Sequence, residues 1–144
     1  MSVEYTPIES AVVARLISYF SELDTNNCKA GYLDQVIEDM FSNSRDYGVW
    51  IEYGGSNKRN REPFKSPIWT HMIEGVFFIR YHEETIEQTL RVIIDKLLTF
   101  LDEDHTLGGV SPLVEIVRIP DPEPLNINDV PFYWVYFEVE ALAK

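Results

Sequence analysis

The sequence is poor in the features that mark secreted, membrane and metal-dependent proteins. Its 144 residues contain a single cysteine, Cys28, in a polar Asn-Asn-Cys-Lys stretch. An internal disulfide is thereby excluded, and the thiol points to assembly in a reducing compartment. No run approaches the roughly 18 consecutive apolar residues of a membrane span, and the N-terminus lacks a basic segment leading into an apolar core. We therefore expect neither secretion nor a membrane partner. Histidine is scarce too: His71, His82 and His105 are the only three, and His82-Glu83-Glu84 lacks the four-residue spacing that turns two ligands to one helix face. No metal site is expected, and His71, on an apolar strand face, reads as a core histidine with a satisfied hydrogen bond.

Phosphate-binding loops are missing as well. Gly54-Gly55 and Gly108-Gly109 carry neither a following Lys-Ser/Thr pair nor three-glycine spacing, so both read as turns. The acidic run Asp102, Glu103, Asp104 reads as a solvated helix end, not as a general acid or base. No catalytic constellation remains, and neither an enzyme nor a cofactor is expected. Positive charge is in short supply: 12 basic residues face 24 acidic ones, for a net charge of −12. A sequence-reading nucleic-acid binder normally shows a basic footprint, so that class is not expected.

What is present is a strongly patterned single domain, long enough to bury roughly 70% of the surface its unfolded chain exposes. Trp69 to Tyr81 alternates as a strand, with Trp69, His71, Ile73, Gly75, Phe77, Ile79 and Tyr81 on the face predicted to be buried. Ile86, Leu90, Ile93, Ile94, Leu97, Leu98 and Leu101 then recur at the helical period. Thr85 and Gln88 have the form of a capping box at the start of this helix. Thr6, Pro7 and Glu9 mark an earlier helix start, from which Ile8, Val12, Leu16, Tyr19, Phe20 and Leu23 define a helix ending near Leu23. A shorter helix is predicted from Tyr32 to Phe41, and strands at Val49 to Tyr53, Leu113 to Ile119 and Phe132 to Ala141.

The predicted order is α, α, β, β, α, β, β. It implies an α+β fold with a four-stranded mixed or antiparallel sheet and its helices packed on one face. A long loop joins the first two strands. It holds Lys58, Arg59, Arg61 and Lys65, four of the twelve basic residues within eight positions. A second long excursion follows Ile119, where Pro120, Pro122 and Pro124 exclude a central strand and leave a hairpin arm or projecting loop. The last strand carries Phe132, Tyr133, Trp134, Tyr136 and Phe137 on both faces. Either the short helix and loops cover the second face, or another molecule does.

A strand of the form Trp69-x-His71-x-x-x-Gly75-x-Phe77-x-Ile79, a helix from Ile86 to Leu101, the turn Leu107-Gly108-Gly109 and a closing strand from Phe132 to Val139 together resemble the tail terminator or tail-completion proteins of tailed bacteriophages, the lambda minor tail protein U family. The likeness covers about two-thirds of the chain by order of elements. It implies a structural virion protein that forms a homohexameric ring at the head-proximal end of the tail. Such a ring caps the tail tube, stops its polymerisation and presents a face to the neck, or head-tail connector. Its implied partners are the tail tube protein, the connector protein and viral DNA that passes through the lumen without sequence-specific binding. The implied location is the virion, with assembly in the host cytoplasm. On this reading Lys58, Arg59, Arg61 and Lys65, with Pro122, Pro124, Leu125, Tyr133 and Tyr136, are candidates for subunit or tube contacts. The same size and acidity suit two other roles: a small interaction module, such as an immunity or antitoxin protein, or a neighbouring neck or head-closure protein.

Overall fold

The computed structural model describes residues 6–59 and 68–143. Its elements are α1 (Thr6–Tyr19), β1 (Cys28–Ala30), α2 (Leu33–Ser42), β2 (Tyr47–Arg59), β3 (Ile68–Arg80), α3 (Ile86–Thr99), β4 (Val114–Arg118), β5 (Glu123–Ile127) and β6 (Val130–Leu142). The α+β class stands, but the sheet is larger than the pattern implies. Among the described residues it has six strands in the order β1-β2-β3-β6-β4, with β5 also paired to β6. It is mixed: β1 runs parallel to β2, and every other pair is antiparallel.

β3 lies at the centre because its alternation suits burial on both sides. Ile73, Phe77 and Ile79 pack into the main core with Val12, Leu16 and Phe20 of the N-terminal region and Ile93 and Leu97 of α3. Val76 and Phe78 point the other way, into a second core with Val36 and Met40 of α2 and Phe132 of β6. The helices therefore do not share one face, as the sequence had implied: α2 covers part of the opposite one. Gly48 makes that approach feasible, since a Cβ there would collide with the Met40 side chain. Part of the second aromatic face of β6 is thus closed from within, with Phe132 buried and Trp134 half-buried against this core.

The helix ends also shift. α1 stops at Tyr19, and the peptide N–H of Phe20 still donates to Leu16. Thr85 precedes α3 without a side-chain capping bond. Leu98 lies 55% exposed, outside the apolar stripe, and Leu101 is buried just beyond the end of the helix.

Two loops expected from the sequence prove to be strand. β2 runs through Gly54 to Arg59, with its register shifting between Tyr53 and Gly55, so the predicted loop opening is a bulged strand. The proline excursion is corrected more fully. β4 pairs with the C-terminal half of β6, from Val114↔Ala141 to Arg118↔Glu138. β5 then pairs with its N-terminal half, from Glu123↔Trp134 to Ile127↔Val130. The two form one broken edge strand along β6, and Pro120 and Pro122 occupy the break between them. An edge tolerates prolines because the missing N–H faces no ladder partner. The strand returns through Asn128 and Asp129, both at positive φ (50° and 65°), the geometry of a tight hairpin turn that matches strand twist.

Candidate interaction surface

At the end of the sheet near the β5–β6 hairpin, an open groove of about 420 Å³ is lined by Tyr81, Pro124, Leu125, Asn126, Pro131, Phe132 and Tyr133. Its wall is fixed by strand register. Ile79 pairs with Tyr133, and the N–H of Tyr81 donates to the carbonyl of Pro131 at 3.0 Å. The Tyr81 and Tyr133 rings consequently stack at 5.9 Å. Pro124 is exposed and Leu125 half-buried against the second core. Three of the sequence-predicted residues, Pro124, Leu125 and Tyr133, therefore meet in one place. Tyr81 and Pro131 complete the groove without having been singled out. Tyr81 shared the alternation of β3, but only the pairing of β3 with β6, sixty residues away in sequence at Val76↔Tyr136, shows that it meets Tyr133.

The other candidates lie elsewhere. Pro122 is half-buried in the break between β4 and β5. Tyr136 sits on the α2-side face in a smaller pocket with Arg118 and Trp134. Its hydroxyl donates to Glu138 Oε1 at 2.9 Å, with Glu74 also in reach. Burial and these two carboxylates push the tyrosine well above its ordinary pKa. Lys58 and Arg59 close β2, opposite Trp69 and Ile68; Arg61 and Lys65 lie outside the described residues. Since Lys58 pairs with Trp69, and Tyr133 with Ile79, ten residues of β3 separate the basic strand end from the aromatic groove. At about 3.3 Å per residue that is roughly 33 Å. No single contact spans both.

Register also sets Glu52 opposite Glu74, and Glu74 opposite Glu138, forming a row of like charges across three adjacent strands. Directly opposed like charges destabilise a sheet. Relief comes from the Tyr136 hydroxyl and from Arg118, whose guanidinium lies 3.7 Å from Glu138. This row is invisible in the sequence, where its members are widely separated.

The three histidines lie in different settings. His71 is fully buried, with Ser56 Oγ 2.9 Å from its Nδ1, and burial holds the imidazole below its ordinary pKa. Tyr53 also hydrogen-bonds Ser56. His82 pairs with Asp46 at the surface. Among the described residues no group of three or more His, Cys, Asp or Glu side chains converges as metal ligands do, and no helix is long and apolar enough to cross a membrane. Compared with known proteins, the chain matches no family model and no curated sequence.

Proposed function

We propose that this chain is a tail terminator or completion protein: a structural subunit that forms a ring on the head-proximal end of a bacteriophage tail tube and joins it to the neck. The observation that supports the reading is the placing of two dissimilar candidate contacts, the basic end of the β2–β3 pair and the aromatic groove on the β3–β6 pair, at opposite ends of the central strand β3. A joining piece needs two such ends, one for the tube and one for the connector. A ring further requires each subunit to meet its neighbour through two different surfaces. Contact geometry, without turnover, is the whole mechanism. With a net charge of −12 per chain, a ring that turns acidic residues to its lumen repels the DNA backbone and lets DNA pass without holding it.

Native mass spectrometry of the protein, alone and with isolated tail tubes, together with cryo-EM of virions, tests this. A hexamer on the tube and density at the junction of tube and neck are expected. Density elsewhere in the virion, or a protein that never enters a virion, overturns the proposal.

One observation favours a second reading. The Glu52–Glu74–Glu138 row suits a cationic protein partner, as an immunity or antitoxin module would bind. Capture of a basic protein in a stable one-to-one complex, with no ring on any tube, would support that role instead.

A further inference from the structure

The two edges of the sheet differ, and their backbone groups are complementary. At the β1 edge, Asn27 accepts from the N–H of Val49 and Gly31 donates to Ile51. With Cys28↔Val49 and Ala30↔Ile51 as partners, Lys29 directs its own N–H and C=O toward β2, and Ala30 directs both of its groups outward. No backbone partner for Ala30 exists among the described residues. Beside this opening runs a groove of about 330 Å³ between Val13 and Ile17 of α1 on one side and Tyr32 and Gln35 on the other. Tyr32 is 69% exposed and holds a left-handed φ of 55°, directly after Gly31 at 71°. The chain thus enters α2 through two successive left-handed residues, which hold the Tyr32 ring outside the core.

At the opposite edge, prolines block the β5 half, leaving the five residues of β4 as the stretch able to accept another strand. There the N–H of Leu142 donates to Leu113. With Val114↔Ala141 and Glu115↔Glu140 as partners, Glu115 faces β6, whereas Ile116 presents its N–H and C=O outward. Val114, which also points outward, already bonds His105. Leu113 and Val117 are exposed apolar residues at the two ends of this stretch.

The geometry points to a head-to-tail contact in which β4 of a second copy of this chain adds to β1, with Ile116 opposite Ala30. Three independent features agree. First, β2, β3, β6 and β4 alternate in direction while β1 runs parallel to β2, so β4 and β1 meet antiparallel when successive sheets keep the same side up. Second, Ala30 and Ile116 both pack against the main core of their own copy, so the joined sheet keeps one continuous core face. Third, this register places Lys29 diagonal to Glu115 on the other face, with the bulged Val117 beside it, giving opposite charges across the junction. The groove walls, Val13, Ile17 and Tyr32, flank the incoming strand. The contact joins two different edges, so it propagates from copy to copy. It rests on the ring reading above and names the surfaces that close the ring.

Disulfide trapping tests it. Val117 is the extra residue of the bulge between Ile116 and Arg118, directly beside the proposed Ala30–Ile116 pair, where the contact brings it next to Lys29. A chain carrying both Lys29→Cys and Val117→Cys should give, on mild oxidation, a ladder of covalent oligomers that collapses under reductant. A mixture of the two single variants should give a crosslinked heterodimer and nothing longer, and the unaltered chain, whose Cys28 is buried, no crosslink. Circular dichroism under reducing conditions checks that the variants fold. Rings seen by native mass spectrometry, alone or on tail tubes, without a ladder would overturn this edge contact and leave the ring reading standing. Neither rings nor ladder, with tail tubes present, would overturn both.

Discussion

At Gly75 the Phe137 ring occupies the space that any Cβ would need, because the two residues are paired across β3 and β6. Phe137 in turn meets Phe100 edge-on at 6.4 Å, so the ring has no open side to move into. Gly75→Ala should cost about 1–3 kcal/mol, the usual range for overpacking, read as a lower denaturation midpoint at unchanged slope. Gly48→Ala should cost less, since the closest atom in its way is the sulfur of the flexible Met40 side chain, with Val36 Cγ1 only tightly approached at 3.1 Å. Cys28 offers a second test at this scale. Burial pushes its thiol up to about 12, so a thiol reagent at pH 8 should leave the native protein unmodified and titrate one thiol after unfolding. The need for glycine at position 75 was written in the sequence only as part of a motif. Its cause, a ring sixty-two positions later at Gly75↔Phe137, was not legible before the strands were paired.

Among the elements, those with strong periodicity were the legible ones. β3 and α3 have clear apolar patterns over 13 and 14 residues, and period alone locates them to within a few positions. β1 offers only Cys28-Lys29-Ala30, too few residues for alternation to register, and it exists because β2 supplies its ladder. β5 was concealed by Pro124 and the two prolines just before it, which forbid a central strand but not an edge. That difference changes what a deletion does. Removing Asp121 to Asp129 would strip the partner from the N-terminal half of β6 and uncover Phe132, which is 2% exposed. It should therefore destabilise the monomer itself, visible as a lower melting temperature, and not merely trim an arm. The hairpin turn offers the opposite change: Asp129 sits at φ 65°, and Asp129→Gly should stabilise by about 0.5–1 kcal/mol by relieving that conformation.

For the whole molecule, ionisation sets a window of stability. Asp24 accepts from the N–H groups of Asn26 and Asn27 and pairs with Arg45, and these bonds hold its carboxyl below the usual value. Its contribution is present above the unfolded value near 3.9 and is lost as pH falls through the lower folded one. Tyr47 and Tyr136 are raised, chiefly by burial. Their contribution is complete below the unfolded value of about 10 and is lost as pH climbs through the folded ones. Melting temperature should therefore fall on both sides, and Tyr136→Phe should flatten the alkaline arm. Of the interaction surface, the sequence disclosed residue types and missed their grouping. Pro124, Leu125 and Tyr133 share a groove, whereas Tyr136 faces a row of glutamates, because strand register distributes them. The pairing of β3 with β6 also governs time. β2 and β3 join through a local connection, but Thr70↔Leu142 closes a loop of about seventy residues that encloses α3, β4 and β5. Such non-local closure makes folding slow, on the order of milliseconds to seconds. The chain should accordingly pass through a stage in which the β2–β3 hairpin is formed and its β6-facing edge is still bare, the moment at which a nascent copy is most exposed to aggregation in a crowded cell.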